Sequence, residues 1–235
     1  KNVVDPELII GTYGADTARL FMLSDSPPDR DLDWTDAGVE GAWRYVSRVW
    51  RLIDGALDTL APGATPQPSA FLPQALAIRA QSHKTAHAVT HDLGHFHFNK
   101  AVARIRELSN SLEAFSAKDA ASAWVRREAF EFLAKLLNPM MPHLAEELWQ
   151  ALGYHTLIAD EPWPQADPAL LVDDTVTIAV QVNGKMRGTL ELAKDCPQDQ
   201  TQAAALALDT VIAAMAGKMP RKVIVVVNRI VNVVV

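Results

Sequence analysis

The segment HKTAHAVTHDLGHFH, residues 83–97, places His83, His87, His91 and His95 four apart along the chain. Two imidazoles at positions i and i+4 of a helix share a face, a spacing that suits a divalent cation. The stretch HDLGH also sets Asp92 where the HExxH zinc motif carries a glutamate. Aspartate is one methylene shorter than that base, no third ligand is evident nearby, and Gly94 softens the helix where ligands need rigidity. On a helical wheel the four rings drift around the side away from Ala86, Val89, Leu93 and Phe96. The expectation is therefore an exposed polar or RNA-facing surface, with adventitious metal binding and catalysis as alternatives, and no metal ligand is assigned.

Other catalytic templates are missing. The sequence has no glycine-rich phosphate loop and no GxSxG elbow, and Cys196 precedes Pro197 in a polar turn with no histidine close in sequence. Glu146 and Glu147 are adjacent on a helix, where neighbours point apart. No catalytic residue is assigned. The cations are more suggestive. Arg44, Arg48 and Arg51 form one helical stripe, read either as a solvated face paired with Glu40 and Asp54 or as a phosphate-facing ridge. Lys185, Arg187, Lys218, Arg221, Lys222 and Arg229 fall at strand ends and turns, either as solubilising charges or as a platform for a phosphate backbone or an unstacked base.

These residues need elements to hold them. Asp5-Pro6-Glu7 starts a helix that ends at Gly14, and Ala15 to Leu23 forms a second. SDSPPDRDLDW is a solvated loop. From Thr35 a helix presents Val39, Trp43, Val46, Trp50, Ile53 and Leu57 as its apolar stripe. APGATPQPS, residues 61–69, is a turn-rich connector. A long helix from Pro73 buries Ile78, Ala86, Val89, Leu93 and Phe96. Further helices follow at 98–115, at 119–137 and after NPMMP, which together make an antiparallel helix bundle over 35–157. Residues 158–174 are too rich in Pro and Asp to be an element and read as a linker.

Beyond the linker the period changes from 3.6 to 2. Val176, Ile178, Val180 and Val182 alternate into a turn at Asn183-Gly184, and Leu190 and Leu192 alternate on the return. A two-residue loop mixes the faces of this hairpin. One extra loop residue, with Gly184 in a bulge, sets Val182 opposite Met186 and Ile178 opposite Leu190, so a bulged loop is expected. QDQTQAAALALDTVIAAMAG reads as one helix, and RKVIVVVNRIVNVVV as two strands around Asn228-Arg229. The fold class is mainly α: a helix bundle followed by a small α+β domain over 175–235.

Composition bounds the rest. No apolar run approaches the length of a membrane helix. The single cysteine, Cys196, excludes an intrachain disulfide and fits a reducing compartment, so a cytoplasmic location is expected. The net charge of −6 conceals a gradient: residues 1–70 carry 6 basic and 11 acidic side chains, 71–156 carry 9 and 8, and 157–235 carry 7 and 9. A basic face fits the last two segments, but no basic domain does.

The stretch KNVVDP, with YGADTARLFMLSDSPPDRDLDW and GVEGAWRYVSRVWRL, resembles the region that follows the KMSKS loop in the leucyl-tRNA synthetase family. FNKAVARIRELSNSL and LNPMMPHLAEELW are similar to that family's anticodon-binding helices. VQVNGKMRG and the terminal RKVIVVVNRIVNVVV are similar to its small C-terminal domain. The resemblance implies that Lys1 and Asn2 adjoin the KMSKS loop, that residues 1–34 are a stem-contact segment, and that everything upstream has been left out. It implies an enzyme that charges tRNA(Leu) using ATP, with Mg, and leucine, while this stretch alone is inactive, holds no cofactor and is a monomer that binds neither DNA nor membrane. Its partners are then tRNA(Leu) and the catalytic and editing domains of the same chain. The RNA contacts implied are the two cation sets above together with Lys100 and Arg104. The alternative is a helical scaffold that docks protein and binds no RNA.

Overall fold

A computed structural model describes residues 4–172 and 175–235, so the expected loop neighbours Lys1 and Asn2 lie outside the described residues. The chain divides into two compact units, Lys1–Leu171 and Val172–Val235.

In the first unit Asp5 accepts the N–H of Glu7 and Pro6 takes the first helical position, which starts α1 (Pro6–Tyr13). Gly14, at φ +86°, ends it in a conformation that favours glycine, and α2 (Ala15–Asp25) follows directly. Thr35 caps α3 (Asp36–Asp54) through the N–H of Gly38. Next come α4 (Pro73–Gly94), α5 (Phe98–Ala114), α6 (Ala120–Leu137) and α7 (Pro142–Ala151). Helix α4 packs on α5 and α6, α2 packs on α3 and α5, and α6 packs on α7. Ile105, Leu108, Leu112, Phe130, Leu133, Leu136 and Leu148 are fully buried between them. Among the described residues no helix is long and apolar enough to cross a membrane.

Four details depart from the expectations. The buried stripe of α3 is Val39, Ala42, Tyr45, Val49 and Ile53, while Trp43 is 46% exposed. The buried face includes the tight α2–α3 seam, where a Cβ on Gly38 would lie 2.4 Å from Phe21 Cε2, and Ala42 lies one turn further along it. Phe96 is 67% exposed because α4 has already ended at Gly94 and Phe96 takes φ +59°. His83, expected outside, is buried against Phe132. Residues 158–171 carry two short 3-10 turns and lie within the first unit: Asp167 N–H donates to His83 Nδ1 at 2.9 Å, and Trp163 Nε1 donates to Thr90 at 2.7 Å.

The second unit is a four-stranded sheet of order β2-β1-β4-β3, built from β1 (Thr175–Val182), β2 (Lys185–Ala193), β3 (Lys222–Val226) and β4 (Ile230–Val234). The two hairpins are antiparallel, and β1 pairs with β4 in parallel. Ile178, Val180, Val182, Val231 and Val233 are buried with Ala205 of α8 (Gln198–Leu206) and Val211 of α9 (Asp209–Met215). The single helix expected here is broken at Leu208, whose extended backbone turns the chain so that Ala205 and Val211 both reach this core.

Ile178 does pair with Leu190, but Val182 faces Lys185 rather than Met186. Asn183 and Gly184, at φ +48° and +78°, make a tight two-residue turn, the conformation this dipeptide favours. The extra residue sits beyond it, at Arg187, between the Gln181–Met186 and Val180–Gly188 pairs. The bulge therefore lies in the strand and restores the alternation that the tight turn disturbs.

Candidate nucleic-acid interface

Side chains of helices α3 and α5 line a cleft of about 320 Å³ formed by Gly41, Arg44, Tyr45, Arg48, Arg106 and Asn110. Two guanidinium groups approach the Tyr45 ring, Arg106 at 4.8 Å and Arg48 at 5.7 Å from its centre. Burial pushes the Tyr45 phenol up, against the pull of its Ser109 hydrogen bond and of Arg106 and Arg48. The phenol stays neutral and shares a 3.3 Å hydrogen bond with Ser109. Arg48 is oriented by a hydrogen bond to Asn110 Oδ1 and sits 3.9 Å from Glu113. Arg44 reaches Glu40 at 3.5 Å, but both side chains are more than half exposed, so water screens that pair and leaves the cation available to a phosphate. Three arginines on a neutral aromatic floor suit a phosphate oxygen better than any covalent chemistry.

The structure brings Arg44 and Arg48 together here and leaves Arg51 exposed outside the lining. It divides the α5 cations. Arg104 Nε donates to Asp92 Oδ2 at 2.6 Å, and Asp92 is only 3% exposed, so this guanidinium neutralises a buried carboxylate. Lys100 is exposed and belongs to a second cleft. The sequence reading missed Tyr45 and Arg106. The available signal was an aromatic next to Arg44 in α3, and a cation at the border of the Ala101–Ile105–Leu108 stripe of α5.

In the second unit, strand register sorts the six tail cations. The end of β1 lies beside the end of β4, which lies beside the start of β3. Hence Lys185 and Arg187, after the Asn183 turn, share one end of the sheet with Arg221 and Lys222, and Lys218 lies on the approach to them. Arg221 N–H donates to Val234 O, and Asn183 Oδ1 accepts the N–H of Val235, which ties that end together. Arg229 lies at the opposite end, beside the Asn228–Asp195 hydrogen bonds. All six are exposed.

The histidine ladder divides between a buried member and an exposed set. His83 Nδ1 accepts from Asp167, which leaves its proton on Nε2, 3.5 Å from Glu128. His87, His91 and His95 are exposed. Among the described residues no group of three or more His, Cys, Asp or Glu comes together as a metal site.

Comparison with known proteins matches residues 76–203 to the family model described as the anticodon-binding domain of tRNA ligase. The whole chain is 60% identical to a leucine--tRNA ligase of Paramagnetospirillum magneticum and 57% identical to one of Rhodospirillum rubrum, spanning 27% of the length of each. A crystal structure of a LeuRS-tRNA-LeuAMS ternary complex from Agrobacterium radiobacter K84 superposes with a TM-score of 0.77 at 30% identity, over 99% of this chain and 30% of that one. A methionyl-tRNA synthetase of Mycobacterium tuberculosis shares the fold, with a TM-score of 0.53 at 21% identity over 73% of this chain and 37% of that one.

Proposed function

The chain belongs to the family of anticodon-binding domains of tRNA ligases, and from that premise we propose that it is the tRNA-holding portion of a leucine–tRNA ligase. The observation that carries this reading is identity of 60% and 57% to leucine--tRNA ligases over the whole chain. In the proposal, activation of leucine with ATP and Mg, transfer to tRNA(Leu) and editing belong to the rest of a longer cytoplasmic polypeptide, which acts as a monomer.

The chain's own residues bind and orient RNA. Arg44, Arg48 and Arg106 take a backbone phosphate in the α3–α5 cleft, Arg51 extends that ridge, and the cations at the β1–β4–β3 sheet end take a second stretch. Phosphate contacts of this kind fix register without reading sequence. The segment read as a stem-contact element also lies, over residues 4–34, against the remainder of the enzyme. In support, α1 and α2 carry an apolar groove of about 420 Å³ that includes Ile9, Ile10, Met22, Leu32 and Trp34, and Leu8, Ile10 and Met22 are about half or more exposed.

The test is titration of labelled tRNA(Leu) and a non-cognate tRNA across a salt series. Binding is expected to fall steeply with salt, and alanine at Arg44, Arg48 and Arg106 together is expected to lower the logarithmic salt slope by about two to three. A triple variant that binds with the wild-type slope would remove the cleft from the interface. Absence of tRNA binding at low salt would remove the reading for this stretch.

A further inference from the structure

The turn between α4 and α5 does more than reverse the chain. Its Phe96 holds φ +59°, a conformation that suits glycine and strains a bulky residue, and yet the residue is two-thirds exposed. Phe96 meets Phe98 edge to face at 5.8 Å, which braces the ring while leaving it exposed.

Around it lies a cleft of about 450 Å³ whose walls include Asp29, Arg30, His95, His97 and Lys100. The histidines are ordered: His95 Nδ1 donates to the carbonyl of His91 at 2.8 Å, its ring stacks on His91 at 4.2 Å, and His97 lies 6.0 Å beyond. No ion pair engages Arg30 or Lys100 among the described residues. An exposed aromatic face beside such cations is the chemistry of a stacked nucleotide, the base on the ring and the phosphate on the cations.

We propose that this cleft is a nucleotide subsite: Phe96 stacks on an unpaired base of the bound RNA, and Lys100, Arg30 and His97 hold its phosphate. Asp29, the acidic residue among the walls, accepts from an exocyclic amine of that base. The proposal rests on the tRNA-holding function and names a point of contact within it, distinct from the α3–α5 cleft.

The experiment uses the whole chain with labelled tRNA(Leu), comparing Phe96→Ala, Phe96→Trp and Lys100→Ala, each checked for an unchanged thermal melt. Phe96→Ala is expected to weaken binding about tenfold with the salt slope unchanged, since stacking releases no counterion. Phe96→Trp is expected to keep wild-type affinity, and Lys100→Ala to reduce the slope by about one. Wild-type affinity in Phe96→Ala, while the wild-type chain binds with its expected salt dependence, would overturn the subsite and leave the tRNA-holding function standing. Equal loss in Phe96→Ala and Phe96→Trp would overturn the stacking role. Loss of all binding by the wild-type chain itself would overturn both.

Discussion

Asp16 Oδ2 accepts the backbone N–H of Leu144 at 2.7 Å across 128 residues of sequence. Helix α7 starts with Pro142, and its cap residue Met141 makes no side-chain hydrogen bond, so α2 supplies the capping carboxylate from a distance. The same carboxylate, 6% exposed as a residue, meets Arg19 at 2.8 Å and His143 at 3.6 Å. Replacing Asp16 by alanine strands a buried donor at a helix start, so a loss of about 1–3 kcal/mol is expected, and Asp16→Asn should lose less. Urea unfolding followed by tryptophan fluorescence checks this cleanly, because all six tryptophans lie in the first unit.

Gly38 and Gly41 lie one turn apart in α3 and should respond oppositely to alanine. At Gly38 the new methyl collides with Phe21 and with the Thr35 hydroxyl that caps the helix, and about 1–3 kcal/mol is expected to be lost. At Gly41 the nearest atom is Arg44 Nη2 at 3.8 Å, so alanine should be neutral or stabilise by up to about 1 kcal/mol. Thermal melts of the two single variants decide it.

The sheet register separates the tail cations into two ends. Alanine at Arg221 and Lys222 together is expected to lower the salt slope of tRNA binding by about two, whereas Arg229→Ala should leave it near the wild-type value. Equal effects at both ends would mean that the RNA crosses the sheet rather than gripping its Asn183 end.

Burial, followed by its hydrogen bond to Glu131, lifts the Tyr154 phenol from 10.0 to about 12. Its hydroxyl donates to Glu131 Oε1 at 2.6 Å, and its ring stacks on Trp149 at 3.8 Å. A phenol whose folded value is raised contributes its full stability below pH 10 and loses it as the pH climbs toward 12. The first unit should therefore weaken across that window, and Tyr154→Phe should abolish the corresponding part of the dependence. Ultraviolet titration of the tyrosinate band, run beside urea midpoints at several alkaline pH values, measures both.

The helix starts were legible because they are local chemistry: Asp5-Pro6-Glu7 and Thr35 cap where proline and side-chain acceptors dictate. The α3 stripe was not, because hydrophobicity alone favours Trp43 while the seam with α2 admits Ala42. The same limit applies to the cleft. Arg44 and Arg48 were visible on one helix, but Arg106 joins them only when α5 packs alongside. His83 was misread because its partner Asp167 lies 84 residues away in a stretch that carries no periodicity. In the tail, alternation gave the Ile178–Leu190 pair, whereas the position of the bulge depended on a turn preference that outweighs one mismatched pair.

The parallel pairing of β1 with β4 also has a consequence for how the protein is made. The centre of the tail sheet joins its first strand to its last, with some fifty residues between partners such as Val180 and Val231. Such a ladder closes a long loop before it gains contacts, which makes it slow relative to a helix bundle built from neighbours. During synthesis the bundle can settle while the tail is still emerging, since β1 has only β2 to pair with until β4 is translated. Until then the row of valines in β1 faces the crowded cell without its partner, and the tail is the part of the newborn chain that a chaperone would find open.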